Sequence, residues 1–160
     1  MHIAIDFFRP EHGERFGELN REWLVSHGLM EPVEEEQLAH PQKYFLDGGG
    51  QIFVALHDGQ VIGTCAVMPR GRDELELAKL TVASEFRGQG IARRLVEQCV
   101  AYARDRGVRR LSLVSNSRLQ AALRLYESFG FTYSPVPKDT MYDIADVCMI
   151  LDLEPATEAG

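Results

Sequence analysis

Apolar residues recur at every third or fourth position in three stretches of the chain, a spacing that predicts amphipathic helices. In the first stretch Phe16, Leu19 and Trp23 share one face of a helix that should end near Gly28. The predicted helices cover residues 10–28, 91–107 and 119–130, and the acid-rich stretch 31–50 predicts one or two short helices before its three glycines.

Short runs rich in β-branched and aromatic residues lie between these helices and predict strands. Two such runs in residues 52–68 flank Asp58 and Gly59, a pair that strongly favours a two-residue hairpin turn. The other predicted strands cover residues 3–8, 74–82 and 110–115, with two more in 131–153 around a proline-rich connection. Strands that flank a helix normally run parallel, so this order predicts a mixed sheet with an antiparallel front. The fold class is α/β (α+β), with a sheet of about six to seven strands flanked by about four helices.

Composition narrows the class of protein. The chain has 160 residues, 45% of them hydrophobic, which is enough to bury one core without metal or disulfide crosslinks. We therefore expect a single domain over residues 1–153 and a frayed tail over 154–160. The net charge of −7 argues against a broad basic surface for nucleic acid and suits a cationic small substrate, although a local basic turn could still hold a small anion.

Cysteines, histidines and the lengths of the apolar runs bear on the cellular setting. Cys65, Cys99 and Cys148 are odd in number, far apart and set among apolar neighbours, which is typical of reduced core thiols in a cytoplasmic protein. The histidines show no metal-ligand spacing, so no metal is expected. No run approaches the roughly 18 apolar residues that a membrane span needs, and no secretion signal is recognisable, so we expect no membrane partner.

The turn between the predicted strand ELELAKLTV and the helix after it carries the most informative motif, RGQGIA at residues 87–92. A strand that turns into a helix presents unpaired backbone N–H groups and the positive end of the helix dipole, which together favour an anion. Gly88 and Gly90 would let a phosphate approach the backbone, and Arg87 adds a charged donor, although two glycines can equally form only a tight turn. Arg93 stands where a dinucleotide fingerprint needs glycine or alanine, and no GK[ST] follows, which excludes the dinucleotide fingerprint and the Walker loop.

Two separate motifs resemble those of the GNAT superfamily of N-acetyltransferases. ELAKLTVASEFRGQGIARRLVEQCVAYARDRG, residues 76–107, resembles the family's central strand, loop and helix, and NSRLQAALRLYESFGF, residues 116–131, resembles its helix with LY followed by GF. The element order also fits, so the resemblance covers nearly the whole chain. It implies a GNAT-like fold that binds acetyl-CoA, with the pyrophosphate held by the RGQGIA loop.

The resemblance also implies catalytic roles. Glu76 matches a family glutamate that accepts the proton of the amine, directly or through water, and Tyr126 matches a tyrosine that stabilises the departing thiolate. A base is required because an alkylamine with a pKa of roughly 10 is mostly protonated near pH 7. Period-two alternation would place Glu74, Glu76, Ala78 and Leu80 on one face of their strand. An exposed acid and a core aromatic residue are the purely structural alternatives for Glu76 and Tyr126.

Contacts to acetyl-CoA are implied mainly for backbone groups. The resemblance implies that the N–H of Leu80 polarises the thioester carbonyl, that Val82 bonds the pantetheine arm and that Asn116 lies near the pantetheine and pyrophosphate, although an asparagine is also an ordinary helix cap. The full set implied for the cofactor is Leu80, Thr81, Val82, Arg87, Gly88, Gln89, Gly90, Ile91, Ala92, Asn116 and Tyr126. Asp146 could attract a cationic amine, but a strand-end turn is the simpler interpretation.

The resulting prediction is an N-acetyltransferase that transfers acetyl from acetyl-CoA to the primary amine of a small molecule. No GxSxG sequence occurs and no cysteine has the neighbourhood of a nucleophile, so direct attack in a ternary complex is favoured over a covalent acyl-enzyme. A protein N-terminus or lysine is the alternative acceptor. A non-catalytic acyl-CoA-binding sensor and a nucleotide-binding module are alternatives of another class. A homodimer is expected from the family resemblance alone.

Overall fold

The computed structural model describes residues 2–153 and contains a seven-stranded mixed sheet. Its strands are β1 (Ala4–Phe7), β2 (Gln51–His57), β3 (Gln60–Pro69), β4 (Glu74–Val82), β5 (Arg110–Ser115), β6 (Thr132–Ser134) and β7 (Val147–Asp152), in the spatial order β1-β2-β3-β4-β5-β7-β6. The predicted α/β class and mixed sheet are confirmed. The tail predicted over residues 154–160 lies outside the described residues.

Within the described part of the chain, four α-helices accompany the sheet. They are α1 (Gly13–Ser26), α2 (Pro32–Ala39), α3 (Ile91–Asp105) and α4 (Gln120–Ser128), with short 3-10 turns at Pro10–His12 and Ser84–Phe86 and a π turn at Gln42–Leu46. The first helix begins at Gly13 rather than at residue 10, because Pro10–His12 forms a 3-10 turn before it. Proline suits that first turn, where its missing N–H leaves no helical hydrogen bond unmade.

The predicted hairpin is formed by β2 and β3. Its turn residues Asp58 and Gly59 have φ of 51° and 78°, the positive values that a two-residue type I′ turn requires. Aspartate and glycine tolerate this conformation better than most residues, so the local sequence fixes the antiparallel pairing of the two strands.

Strands β4 and β5 separate soon after they begin, and the gap between them positions the site. They are parallel, as predicted for strands on either side of a helix, but among the described residues they pair only between 74–76 and 110–112. Beyond that point β4 continues along β3, whereas β5 pairs with β7 over its whole length. On its β5 side, the remainder of β4 therefore borders an opening rather than a neighbouring strand.

A β-bulge interrupts β4 at Lys79. The register passes from Ala66 opposite Ala78 to Thr64 opposite Thr81, so Lys79 and its successor together face a single residue of β3. Lys79 has a φ of 59°, and its carbonyl accepts a hydrogen bond of 2.7 Å from the Thr64 hydroxyl. The unbroken alternation predicted for this strand is therefore wrong at Lys79.

The bulge is supported from the neighbouring helix. Asn20 of α1 is buried and donates its amide Nδ2 to the Thr64 Oγ1 at 3.1 Å and to the Phe16 carbonyl at 2.9 Å. A buried polar pair is costly when unsatisfied, so this chain of hydrogen bonds favours one backbone conformation for β4.

The apolar core lies between the sheet and the helices. Phe16 of α1 and Leu95 and Cys99 of α3 are fully buried in it. Cys65, Cys99 and Cys148 are buried free thiols, in agreement with the prediction. In the part of the chain that the structure describes, no helix is long and apolar enough to cross a membrane.

Candidate active site

The loop between β4 and α3 opens onto a cleft of about 550 Å³, which we call the cofactor cleft. Its lining includes eight of the eleven residues predicted to contact the cofactor, namely Leu80, Thr81, Val82, Arg87, Gly88, Gly90, Ile91 and Ala92. Gln89 is exposed and lies outside the lining. The structure thus gathers one continuous stretch of sequence around one concave surface.

Gly88 and Gly90 have φ of 78° and 79°, a conformation that other residues rarely adopt. No heavy atom lies within 4 Å of the position that a Cβ would take at either glycine, so the backbone there is open to a ligand. Gly90 caps α3 with no side-chain hydrogen bond, which leaves the first N–H groups of that 15-residue helix available. This end of the cleft is suited to an anion.

Three arginines add positive charge to the same cleft. Arg87 donates its Nε to the Val82 carbonyl at 3.0 Å, which holds its guanidinium beside the end of β4. Arg93 and Arg118 also line the cleft, from α3 and from the turn before α4. A local basic turn therefore coexists with the negative net charge of the whole chain.

A second cavity, of about 130 Å³, lies in the gap where β4 and β5 separate, and we call it the acceptor cavity. It shares Trp23, Leu80, Leu119 and Ala122 with the cofactor cleft, so the two spaces adjoin each other. Leu80, which follows the bulge, is the strand residue at their junction. Trp23 is the only tryptophan of the chain, and the sequence indicated a helix face for it but not this position.

Glu76 lines the acceptor cavity and is only 6% exposed. Burial raises the pKa of its carboxyl above the ordinary value, while Arg70 and Lys79 nearby act in the opposite direction. The Arg70 Nη1 lies 3.8 Å from the Glu76 Oε1. A carboxylate in such a place is a better proton acceptor near neutral pH than an exposed one.

Tyr126 of α4 lines the acceptor cavity but not the cofactor cleft. It is 7% exposed, and its ring packs edge-on against Phe131 with centroids 5.8 Å apart. Burial raises the pKa of its phenol, so the hydroxyl carries its proton at neutral pH. Among the described residues none shares a hydrogen bond with this hydroxyl, which leaves its proton available for a ligand.

A buried charged cluster that the sequence did not predict closes one end of the acceptor cavity. Lys79 projects from the bulge, is ion-paired with Glu34 of α2, and donates its Nζ to the Gln37 Oε1 at 2.6 Å. Its Nζ also lies 5.5 Å from the centroid of the Tyr142 ring. Burial lowers the pKa of Lys79, and the Glu34 carboxylate opposes this effect.

The loop between β6 and β7 is held against α2 at the same end of the cavity. Glu31 accepts hydrogen bonds from the backbone N–H groups of Asp143 and Ile144 at 2.8 and 3.2 Å. Gln37 donates its Nε2 to the Tyr142 hydroxyl at 3.0 Å. Residues far apart in the chain thus build this wall of the cavity.

Asn116 and Asp146 make local turn contacts. The Asn116 Oδ1 accepts from the Arg118 N–H at 3.0 Å, and its Nδ2 donates to the Ile144 carbonyl at 3.1 Å, at the edge of the acceptor cavity. Asp146 accepts from the N–H and hydroxyl of Ser117 at 2.8 and 2.9 Å, which lowers the pKa of its carboxyl. It lies outside the lining of both cavities, as the strand-end interpretation predicts.

No group of three or more histidine, cysteine or acidic side chains in residues 2–153 is arranged to hold a metal ion.

Comparison with known proteins identifies the family. Residues 11–131 match the model of the Acetyltransferase (GNAT) family. The chain belongs to this family. A GNAT-family acetyltransferase from Staphylococcus aureus has the same fold, with a TM-score of 0.87 and 16% identity over 96% of this chain and 100% of that one. The phosphinothricin acetyltransferase of Sinorhizobium meliloti, solved with AcCoA, has a TM-score of 0.76 and 20% identity over 96% of this chain and 89% of that one.

Two curated relatives of this GNAT protein come from Rattus norvegicus. N-acetyltransferase family 8 member 2 of Rattus norvegicus is 35% identical over 114 residues, which are 68% of this chain and 50% of the relative. N-acetyltransferase 8 of the same species is 40% identical over 95 residues, 56% of this chain and 43% of the relative. The chain therefore spans about half the length of the curated relatives it matches.

Proposed function

We propose that this GNAT protein transfers an acetyl group from acetyl-CoA to the primary amine of a small molecule, by direct attack in a ternary complex. The observation that carries the proposal is the position of Glu76. Its buried carboxylate lines a cavity that adjoins the cofactor cleft at Leu80. Residues 1–153 would form the single domain that performs this reaction.

The cofactor cleft supports binding of the acetyl donor. The pyrophosphate would lie against the backbone of residues 87–92 at the start of α3, and Arg87 would add a charged contact. The pantetheine arm would then run along β4 past Val82 toward the bulge, where β4 has no β5 partner. This path brings the thioester to the junction with the acceptor cavity.

The chemistry assigned to each residue follows from its surroundings. Glu76 takes a proton from the ammonium, directly or through water, and the neutral amine then attacks the carbonyl carbon of the thioester. The N–H of Leu80 donates to the oxyanion that forms, a contact worth roughly 3 kcal/mol when well placed. The C–S bond breaks as the carbonyl reforms. Tyr126 protonates the CoA thiolate as it leaves, the second proton of the amine restores the phenol directly or through water, and Glu76 releases its proton to solvent.

An acceptor library tests this proposal. Purified protein is incubated with acetyl-CoA and a panel of primary amines, and release of free CoA thiol is followed together with the mass of the product. We expect thiol release that is saturable in both substrates and matched by one acetyl group on the amine. Thiol release with no acetylated amine, or tight CoA binding with no turnover, would contradict the proposal. Turnover with peptides alone would move the acceptor to a protein.

A further inference from the structure

We infer that the ion pair between Glu34 and Lys79 determines acceptor specificity, and that the acceptor is a cationic amine with no carboxylate beside its amino group. This inference rests on the proposed function, because it concerns the acceptor of the same reaction. It is carried by the charges that line the acceptor cavity and by the partners that each of them already has.

The acceptor cavity is lined by three carboxylates and one cation in the part of the chain that the structure describes. The carboxylates belong to Glu31, Glu34 and Glu76, and the cation is Lys79. Most of the remaining lining is apolar, including leucines from α1, β4 and β5. An ammonium group that enters therefore meets a region of net negative charge with an apolar surround.

The single lysine of this lining is already neutralised. Its side chain is 4% exposed, and its Nζ is shared between the Glu34 carboxylate and the Gln37 amide oxygen beneath the Tyr142 ring. A carboxylate on the acceptor would have to displace Glu34 from this buried pair. Otherwise it would remain an unpaired anion among carboxylates and hydrocarbon, which is strongly unfavourable.

The neighbouring arginines do not supply another cation to pair with a carboxylate on the acceptor. Arg70 lies outside the lining and contacts the carboxylates of Glu74, Glu76 and Asp139. Arg118 lines the cofactor cleft rather than the acceptor cavity, and its Nε donates to the Asn116 Oδ1 at 3.1 Å. The carboxylates that line the acceptor cavity thus attract the ammonium group of the acceptor and repel a carboxylate next to it.

Matched acceptors that differ by one charged group test the inference. We would compare isobutylamine, valine and valinamide, then the corresponding sets built on leucine and phenylalanine. Binding of each compound to the complex of the wild-type protein with CoA is measured by calorimetry, and turnover with acetyl-CoA by thiol release. The amide keeps the size of the amino acid and removes only its negative charge.

We expect the amines and amides to bind at least about tenfold more tightly than the amino acids, with a ratio of kcat/KM of about a hundredfold. An amino acid that equals its amine or amide in affinity would overturn the inference. So would failure of every compound to bind, because the cavity must hold a cationic amine. Selective binding without thiol release would leave the inference standing and refute the proposed transfer reaction.

Variants locate the selectivity in the ion pair. Glu34→Gln releases Lys79 to accept a carboxylate, and we expect the preference for amide over amino acid to fall about tenfold. The double variant Glu34→Gln with Lys79→Met removes both charges and should restore the preference for amide over amino acid. Restoration would also show that misfolding is not the cause of the lost preference in the single variant. Glu35→Gln is the matched control, since this adjacent glutamate pairs with Arg21 on the exposed side of α2. An unchanged preference in folded Glu34→Gln would overturn the role of the pair.

Discussion

The two ends of the active site differ in how far apart along the chain their residues lie. The cofactor cleft takes most of its lining from two continuous stretches, residues 80–93 and 118–125. The acceptor cavity joins α1, α2, β4, β5, α4 and the loop before β7. A surface made of backbone groups in one loop is encoded locally, whereas a surface made of paired side chains exists only after the chain has folded.

The two ends also differ in their exposure and charge. At the cofactor end the glycines leave open space above the backbone, and their arginine neighbours lie near solvent. At the acceptor end Glu76 and Lys79 are buried and act on each other's pKa. We therefore expect changes at the acceptor end to alter chemistry and its pH dependence, and changes at the cofactor end to alter donor binding.

The largest effect is expected from Glu76→Gln. We expect kcat/KM at pH 7 to fall by about 100-fold to 1000-fold, because Glu76 is the base in the proposed mechanism. In the wild type, burial raises the pKa of Glu76, so the rate should rise with pH through a value above the roughly 4.3 of an ordinary glutamate. In the Glu76→Gln variant, kcat/KM should lack this rise with pH. It should approach the wild-type value at alkaline pH, where the amine is already neutral.

A pH profile of kcat/KM for both proteins measures this effect. Glu74→Gln is the matched control, since Glu74 lies two residues earlier on β4 and outside the lining of the cavity. An equal loss at every pH would assign Glu76 to binding rather than to proton transfer.

Tyr126→Phe should have the next largest effect, a fall in kcat of about tenfold or more with nearly unchanged affinity for CoA. In the proposed mechanism the buried phenol supplies the proton for the thiolate, and phenylalanine keeps its packing against Phe131. Steady-state kinetics and CoA titration separate the two quantities, with Tyr133→Phe as a control at an exposed tyrosine. Wild-type turnover in Tyr126→Phe would remove this residue from the mechanism.

At the cofactor end, Gly90→Ala should raise the KM for acetyl-CoA by about fivefold and leave kcat nearly unchanged. An alanine at a φ of 79° costs about 1 to 2 kcal/mol, and its methyl group would enter the space proposed for the pyrophosphate. Gly59→Ala is a matched control at a φ of 78° in the hairpin turn. It should lower the melting temperature to a similar degree without changing KM, and an equal change of KM in both would contradict a specific role for Gly90.

The smallest effect is expected from Asp146→Asn. Its carboxylate is bonded to Ser117 and lies outside both cavities, so kcat/KM for a cationic amine should change by less than about twofold, while the free energy of unfolding falls slightly. Kinetics and denaturant titration check both quantities. A large loss of amine affinity would show that the acceptor side extends further than the cavity described above.

Features that depend on residues adjacent in the chain could be predicted from the sequence. The turn at Asp58 and Gly59 and the glycine loop before α3 have conformations that few residue types adopt, so their positions could be inferred directly. The element order and the parallel pairing of β4 with β5 followed from periodicity and the rules of chain connection. The cytoplasmic location and the homodimer stay predictions.

The acceptor end could not be predicted in the same way. The bulge at Lys79 depends on Thr64 and Asn20, which belong to other elements, while the alternation of ELELAKLTV alone favours a regular strand. Lys79 and Glu34 are 45 residues apart in the chain. The one available signal was a lysine among apolar residues late in a buried strand, and that signal does not identify its partner.

The separation of β4 from β5 has a consequence for motion. Among the described residues, the pairing of 74–76 with 110–112 is the only strand pairing between the four strands β1 to β4 and the three strands β5, β7 and β6. Glu76 lies in this short pairing, opposite Ser112. We expect the amide protons of residues 77–82 that are not bonded to β3 to exchange more slowly with solvent once CoA occupies the cofactor cleft, so that occupancy of the donor site would be coupled to opening of the sheet at this gap.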